Sequence, residues 1–477
     1  MRSFKAKALS MLLVMIMALS LCACGSNNSA TTEDTAASTE DTASTEDTAE
    51  AADEGKVLNI YCWNDEFQQR VTTFYPGYTD NGDGTGSIGD VTVNWLMTPS
   101  QDNAYQNKLD EALLNQESAA ADDKVDLFLL EADYALKYVD TDYAMDVVND
   151  LGLTEDELSQ QYQYTKDIVT DSNGVLRGVS WQATPGLFVY RRSIAKDVLG
   201  TDDPDKVQEE LADWDKFDAV AAKMSEKGYT MLSGFADSYR VFSNNVTTPW
   251  VVDGKIVIDD NIMRWVDQTK DYTDKGYNHK TDLWSDDWAA QQSSKGNTFG
   301  FFYSTWGINY TLVGYALDKS VDDGGKLEVG NGTYGDWACC YGPQSFYWGG
   351  TWICGAKGTD NKTLVADIMR KLTTDKDIMK SITEAPDVQD YTNNIEAMKE
   401  IGASDFKSDF LGGQNHIALF TESAEKIDMS NCTAYDQGLN EGIQTAMKDY
   451  FNGQVTKEEA LENFYKAAET KYPDLTH

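Results

Sequence analysis

Three groups of residues in this chain have the types and spacing for recognition chemistry. Asn64-Asp65-Glu66 directly follows Trp63 at the end of an apolar run, and Glu131 and Asp133 follow the run Val125-Asp-Leu-Phe-Leu-Leu130. The third group is aromatic. Phe299-Gly-Phe-Phe-Tyr303-Ser-Thr-Trp306-Gly and Phe346-Tyr-Trp348-Gly349-Gly350-Thr351-Trp352-Ile353 set large rings beside glycines. Glycine lets another molecule approach the backbone closely. An indole face beside open backbone suits a flat, partly apolar ligand rich in hydroxyls, such as a sugar ring. Carboxylates and amides would then accept from and donate to those hydroxyls. The same rings could instead fill a core, and Asp133 could cap a helix. A carboxylate pair such as Glu131 and Asp133 also admits glycoside hydrolysis.

The elements that must position these groups alternate. Lys56–Cys62, Val91–Leu96 and Val125–Leu130 read as strands, with helices expected over Gln68–Tyr75 and Ala104–Glu117. That order argues for a parallel sheet with right-handed crossovers, whose carboxyl edge is where open α/β sheets bind ligands. Asp80-Asn-Gly-Asp-Gly-Thr-Gly lacks the terminal acidic ligand of a calcium loop and reads as a turn. Further on, Trp214–Lys227, Asn261–Lys275, Asn361–Leu372, Tyr435–Phe451 and Lys457–Tyr472 read as helices. Tyr229–Leu232 reads as a short strand, and Pro249–Ile258 as a hairpin around Asp253-Gly254. Trp284 and Trp288, four apart, read as a helix face packing on the body.

A chain of 477 residues is too long for one core, so two lobes are expected. The net charge of −40 disfavours nucleic acid, anionic lipid head groups and phosphorylated ligands. Arg2, Lys5 and Lys7 precede a short apolar segment, Ala8–Ser20, that runs into Leu21-Cys22-Ala23-Cys24-Gly25-Ser26. This resembles the lipobox of bacterial lipoprotein signals, which implies cleavage after residue 23 and a lipid on Cys24. Thr-Glu-Asp-Thr-Ala then recurs at Thr32, Thr39 and Thr45, with no Lys or Arg between Leu21 and Gly55. Such sequence cannot bury enough apolar surface to order itself and is expected to be a disordered acidic tether over 24–55. The remaining cysteines, Cys62, Cys339, Cys340, Cys354 and Cys432, are odd in number and irregular in spacing, so they are no disulfide framework. Neither they nor the three scattered histidines suggest a metal site, and no cofactor motif is present.

Taken together, the Cys-Trp-Asn-Asp strand end, Asp126-Leu-Phe-Leu-Leu-Glu-Ala-Asp133-Tyr and Gly178-Val-Ser-Trp-Gln-Ala-Thr-Pro-Gly-Leu-Phe-Val-Tyr-Arg-Arg192 resemble the family 1 extracellular solute-binding proteins. Gly296-Asn-Thr-Phe-Gly-Phe-Phe-Tyr-Ser-Thr-Trp306 and Trp348-Gly-Gly-Thr-Trp-Ile-Cys-Gly-Ala-Lys357 extend the resemblance to about 56–472. It implies a two-lobe, α/β periplasmic-binding-protein-like fold of type II, with discontinuous lobes of 56–183 plus 340–405 and 184–339 plus 406–477. Crossings are expected near 181–187, 339–347 and 403–412. It also implies a monomeric, non-enzymatic component of an ABC importer that captures a neutral carbohydrate, a sugar or oligosaccharide, between the lobes and delivers it to a membrane permease. The protein would be anchored at the extracellular face of the bacterial membrane through Cys24. On the family pattern Trp306 stacks on ligand, and Asn64, Asp65 or Glu66, with Glu131 and Asp133, make polar contacts. Trp63, Trp181, Trp250, Tyr303, Trp348 with Gly349, and Trp352 are further candidates near the cleft edges. The Trp348–Trp352 pair has no equivalent in maltose-binding protein, so that protein's sugar does not transfer. A non-transport surface module for glycan or peptide is the other binding reading.

Overall fold

The computed structural model describes residues 55–477 except Asp387; the leader, Cys24 and nearly all of the tether lie outside the described residues. Twelve strands are present among the described residues: β1 (Val57–Cys62), β2 (Tyr78–Asp80), β3 (Gly86–Ile88), β4 (Val91–Met97), β5 (Leu127–Glu131), β6 (Val179–Ser180), β7 (Gly186–Arg191), β8 (Val251–Val252), β9 (Lys255–Ile256), β10 (Gly300–Ser304), β11 (Trp337–Cys340) and β12 (Thr351–Gly355). Seven form one sheet in the order β2-β3-β4-β1-β5-β12-β6, and three form a second, β10-β7-β11. β8 and β9 make the hairpin expected at Asp253-Gly254.

β1 lies between β4 and β5, parallel to both. Its interior and that of β5 are buried almost throughout, as central strands covered on both faces require. Helices Glu66–Phe74 and Ala104–Leu114 make the connections. The Asp80–Gly86 segment closes the β2–β3 hairpin, with Asp80 Oδ1 accepting from the Gly82 amide at 2.8 Å. β12 enters much later in the chain and runs antiparallel to β5, pairing Thr351 with Glu131. Strand polarity therefore sets Thr351, at the start of one strand, beside Glu131, at the end of the other.

The chain leaves this sheet after Ser180, enters the second at Gly186 and returns between Cys340 and Thr351. In the second sheet β7 pairs antiparallel with β10 and β11. Helix Trp214–Glu226 covers it, started by Asp213 Oδ1 accepting from the Lys216 amide at 2.9 Å, and Trp214 stacks on Phe242 at 4.1 Å. The C-terminal helices Asp436–Phe451 and Lys457–Lys471 pack on the same body, Phe451 against Phe235 and Phe464 against Trp250. Tyr229–Leu232 differs from expectation: its one ladder contact is a single bridge from Thr230 to Thr298, too little pairing for a strand. The five described cysteines are free thiols.

Candidate ligand cleft

Where the carboxyl ends of β1, β4 and β5 face the end of β10, they leave a cavity of about 400 Å³. On the first sheet's side, β1 delivers Trp63 and Asn64, and Asn64 Oδ1 accepts from the Glu66 amide at 3.2 Å as the next helix starts. β5 delivers Glu131, whose Oε2 accepts from the Asp133 amide at 2.8 Å. On the other side, Trp306 sits just past β10 in a short helical turn. A single π-helical turn, Ile308–Leu312, follows and holds Tyr310 toward the cavity, three-quarters exposed. Isolated π turns of this kind recur at functional sites.

Three indoles form one aromatic wall. Trp306 Nε1 donates to the Trp348 carbonyl at 2.8 Å, which fixes its ring against the returning chain. Trp284 lies 6.2 Å from Trp306 at 29° and 5.6 Å from Trp348. Trp348 is backed by Tyr303, nearly parallel at 6.4 Å. Gly349 and Gly350 have φ of +71° and +114°, the left-handed region where a side chain is strained. A Cβ on Gly349 would also stand 3.1 Å from Trp306 Nε1, so the indole's position depends on the glycine.

The polar wall is a connected network. Gln182 Nε2 donates to Glu66 Oε1 at 2.8 Å and to Asp390 Oδ2 at 2.7 Å, while its Oε1 accepts from the Thr351 amide at 3.0 Å. Arg70 lies 3.4 Å from Glu66 and 3.6 Å from Asp390. Burial raises the Glu66 carboxyl above the ordinary carboxylate range; Arg70 opposes the shift and Asp390 adds to it. Burial raises Glu131 in the same way, reinforced by Asp133 and opposed by Arg240. Arg240 holds Asp133 in a bidentate pair at 2.6 and 2.5 Å. Asp133 therefore does not cap the helix Ala135–Val139 that follows it. Because Glu131 and Asp133 come from one turn, they approach a ligand from one side, whereas glycoside hydrolysis flanks the bond from two.

Of the residues expected at the site, Trp63, Asn64, Glu66, Glu131, Asp133, Trp306, Trp348 and Gly349 line the cavity. Asp65 sits at the start of the first helix and is not among the lining residues. Four aromatic candidates are core instead. Trp181 is fully buried and stacks on Phe67 at 5.3 Å. Trp352 is buried in β12 and donates to the Thr165 carbonyl at 2.7 Å. Trp250 packs on Phe464 and donates to Asn440. Tyr303 lies beneath Trp348, its hydroxyl donating to Gln292 at 2.8 Å. Trp352 and Tyr303 lie within β12 and β10, while Trp181 directly follows β6 and Trp250 directly precedes β8, and in each case the ring is taken up by packing rather than by the gap between sheets.

Ser100, Gln182, Arg240, Trp284, Tyr310, Gly350 and Thr351 complete the lining and were not expected there. Trp284 corrects the helix-face reading, which holds only for Trp288, buried against Phe301. Ser285 is the N-cap of Asp286–Ala290, its hydroxyl accepting from the Trp288 amide at 3.2 Å. Trp284 therefore lies outside the helix, at φ +68° and 45% exposed. The Ser-Asp-Asp run was the available signal, since serine followed by acids marks a helix start. Arg240 had no such signal, because its partner lies 107 positions away. Among the described residues no group of His, Cys, Asp and Glu has the arrangement to hold a metal ion.

Comparison with curated protein sequences returns no match. The bacterial extracellular solute-binding protein family matches residues 78–409. Among solved structures, an extracellular solute-binding protein of family 1 aligns with a TM-score of 0.67 at 15% identity, covering 87% of this chain and 99% of its own. The sugar-binding protein MalE of Xanthomonas citri aligns at 0.63 and 12% identity, covering 87% and 96%. The galacto-N-biose-/lacto-N-biose I-binding protein of the Bifidobacterium longum ABC transporter, in complex with lacto-N-biose, aligns at 0.60 and 14% identity, covering 88% and 98%. At these identities the likeness is one of fold, a two-lobe periplasmic-binding-protein-like architecture. With well over half of its length matched by the family, and its two sheets enclosing one cleft, the chain belongs to the bacterial extracellular solute-binding proteins, which bind solutes rather than transform them.

Proposed function

We propose that this protein captures a neutral carbohydrate in the cleft and presents it to the permease of an ABC importer. The observation that carries the reading is the pairing of an indole wall, Trp284, Trp306 and Trp348, with a wall of carboxylates and amides, Glu66, Glu131, Asp133 and Gln182. Rings stack on the apolar face of a pyranose while acceptors and donors satisfy its hydroxyls. The sugar-binding role of the Xanthomonas citri fold neighbour and the lacto-N-biose bound by the Bifidobacterium longum one are consistent with it. The lobes would comprise 56–183 plus 340–405 and 184–339 plus 406–477, with closure about the crossings excluding water from the ligand. Cleavage before Cys24, lipidation there and the acidic spacer would hold a monomeric body near the membrane. Titration calorimetry with a panel of mono- and oligosaccharides tests the reading. Binding of at least one is expected, and folded protein that binds none overturns it.

A further inference from the structure

One side chain in the polar wall has its amide fully engaged by the protein. Gln182 lines the cavity yet is only 2% exposed. Its N–H groups donate to Glu66 Oε1 at 2.8 Å and Asp390 Oδ2 at 2.7 Å, and its oxygen accepts from the Thr351 amide at 3.0 Å. That orientation is forced, because the reversed amide would set its oxygen against two carboxylates and its N–H groups against another N–H. Arg70 Nη2 approaches the same two carboxylate oxygens, at 3.4 and 3.6 Å. Glu66 Oε1 is thus held from two sides. Glu66 Oε2 has no hydrogen-bond partner among the described residues and is not shut away from solvent, the side chain being 23% exposed where it lines the cavity.

Gln182 also stands where the chain crosses between the sheets. It lies on the segment from Ser180 to Gly186, and its partner Thr351 ends the returning segment. Hydrogen bonds zip the two segments together. The Gly186 amide donates to the Phe346 carbonyl at 2.6 Å, the Trp348 amide to the Thr184 carbonyl at 3.1 Å, and the Thr184 hydroxyl to the Gly349 carbonyl at 2.8 Å. On the other side of Gln182, Asp390 Oδ1 accepts from the hydroxyl of Thr305, the residue before Trp306, at 3.3 Å. One buried amide therefore fixes a cleft carboxylate against both crossings and, through Asp390, against the turn that carries the stacking indole. A carboxylate oxygen held at a set place beside a stacked ring meets one hydroxyl of that ring and not the others. A sugar lacking that hydroxyl leaves the acceptor unmet, which is the costly case.

We infer that Gln182 is a positioning residue for specificity: it holds Glu66 so that Oε2 accepts from one particular hydroxyl of the ring stacked on Trp306. The inference rests on the carbohydrate reading and adds to it a required hydroxyl on the sugar. The test is titration calorimetry at about pH 9, because burial raises the Glu66 carboxyl to about 7 and the acceptor must be ionised. The probes are D-glucose, D-galactose and maltose with their monodeoxy forms, replaced by the tightest binder of the wider panel where none of the three binds. In the native protein one monodeoxy form is expected to bind about tenfold or more weakly than its parent, as loss of a hydrogen bond to a charged acceptor implies. Gln182→Met should shrink that gap to about threefold or less while the gaps at other positions persist, as expected for groups that act through one another. Gln182→Glu, which keeps the acceptor for the Thr351 amide but no longer donates, should do the same, and so should Glu66→Gln. Melting curves without ligand establish that each variant folds. Three results would overturn the inference: deoxy forms that all bind alike in the native protein, Gln182 variants that weaken the parent and every deoxy form by one common factor, or failure of both Gln182 variants to fold. The last two would make Gln182 a support of the fold alone. If sugars bind without the expected pattern, only this inference falls; if no sugar binds, the carbohydrate reading falls with it.

Discussion

Two tryptophans separate recognition from packing. Trp306 is half-buried and anchored by its indole N–H, so Trp306→Ala should weaken sugar binding by about 1–3 kcal/mol, the usual range for one aromatic contact. Its thermal midpoint without ligand should move little; calorimetry and a melting curve check both, and a large loss of stability would return the ring to the core. Trp284 gives a sharper contrast because its backbone is left-handed at φ +68°. Holding a bulky residue there costs on the order of 1–2 kcal/mol, and glycine removes that cost. Trp284→Gly should therefore leave the ligand-free melting temperature unchanged or higher while affinity falls about tenfold, the effect of one lost stacking partner. A residue held in a strained conformation only by packing would show the opposite sign.

At the scale of elements, the helix His416–Ala424 couples the fold to pH. His416 is 1% exposed at its first turn, packed between Phe406 and Phe420, with Nδ1 unpartnered. Burial lowers its pKa to about 4, with the Gln414 backbone opposing. A depressed base favours the neutral form in the folded state, so its contribution is present above the ordinary value of 6.5 and is lost as pH falls toward 4. The loss is on the order of 3 kcal/mol. Glu66 and Glu131 act with the opposite sign, since raised carboxyls favour the folded state in acid and lose that advantage as pH rises. Melting temperatures between neutral and mildly acidic pH should fall less in His416→Leu than in the native protein, and parallel curves would exclude the helix as the source. The elements themselves were largely legible, because the β1 and β5 runs and the capped helices are local signals. The lining was legible where it lies at or just past the end of a buried strand, as at Trp63, Glu66, Glu131 and Trp306. It was not legible where strand pairing decides which ring is covered, as at Trp181 and Trp352, or where a cap displaces a residue from its helix, as at Trp284.

Across the whole molecule, Asp133 and Arg240 come from opposite sides of the cleft and, on the lobe division proposed above, join the lobes directly. Thr305 Oγ1 donating to Asp390 at 3.3 Å and Asn309 donating to the Gln389 carbonyl at 3.4 Å are further bridges, both longer, the first with one charged partner and the second with none, and Lys399 meets Glu425 at 2.9 Å at the surface. Among these, the bidentate pair is the charged contact that lies at the cleft itself. Both side chains remain about a quarter exposed, so solvent screening limits its worth to about 1 kcal/mol. Removing it would shift the closed-to-open ratio about fivefold, since 1.4 kcal/mol is tenfold. Arg240→Gln should then enlarge the ligand-free particle in small-angle X-ray scattering. It should also weaken sugar binding about fivefold or somewhat more, because ligand must supply the lost closure energy and Glu131 loses its nearest cation. Asp133→Asn should do likewise, and the double variant should be little worse than either single one, as expected for residues that act through each other. Additive losses with an unchanged scattering profile would mean that both side chains act on ligand and not on closure.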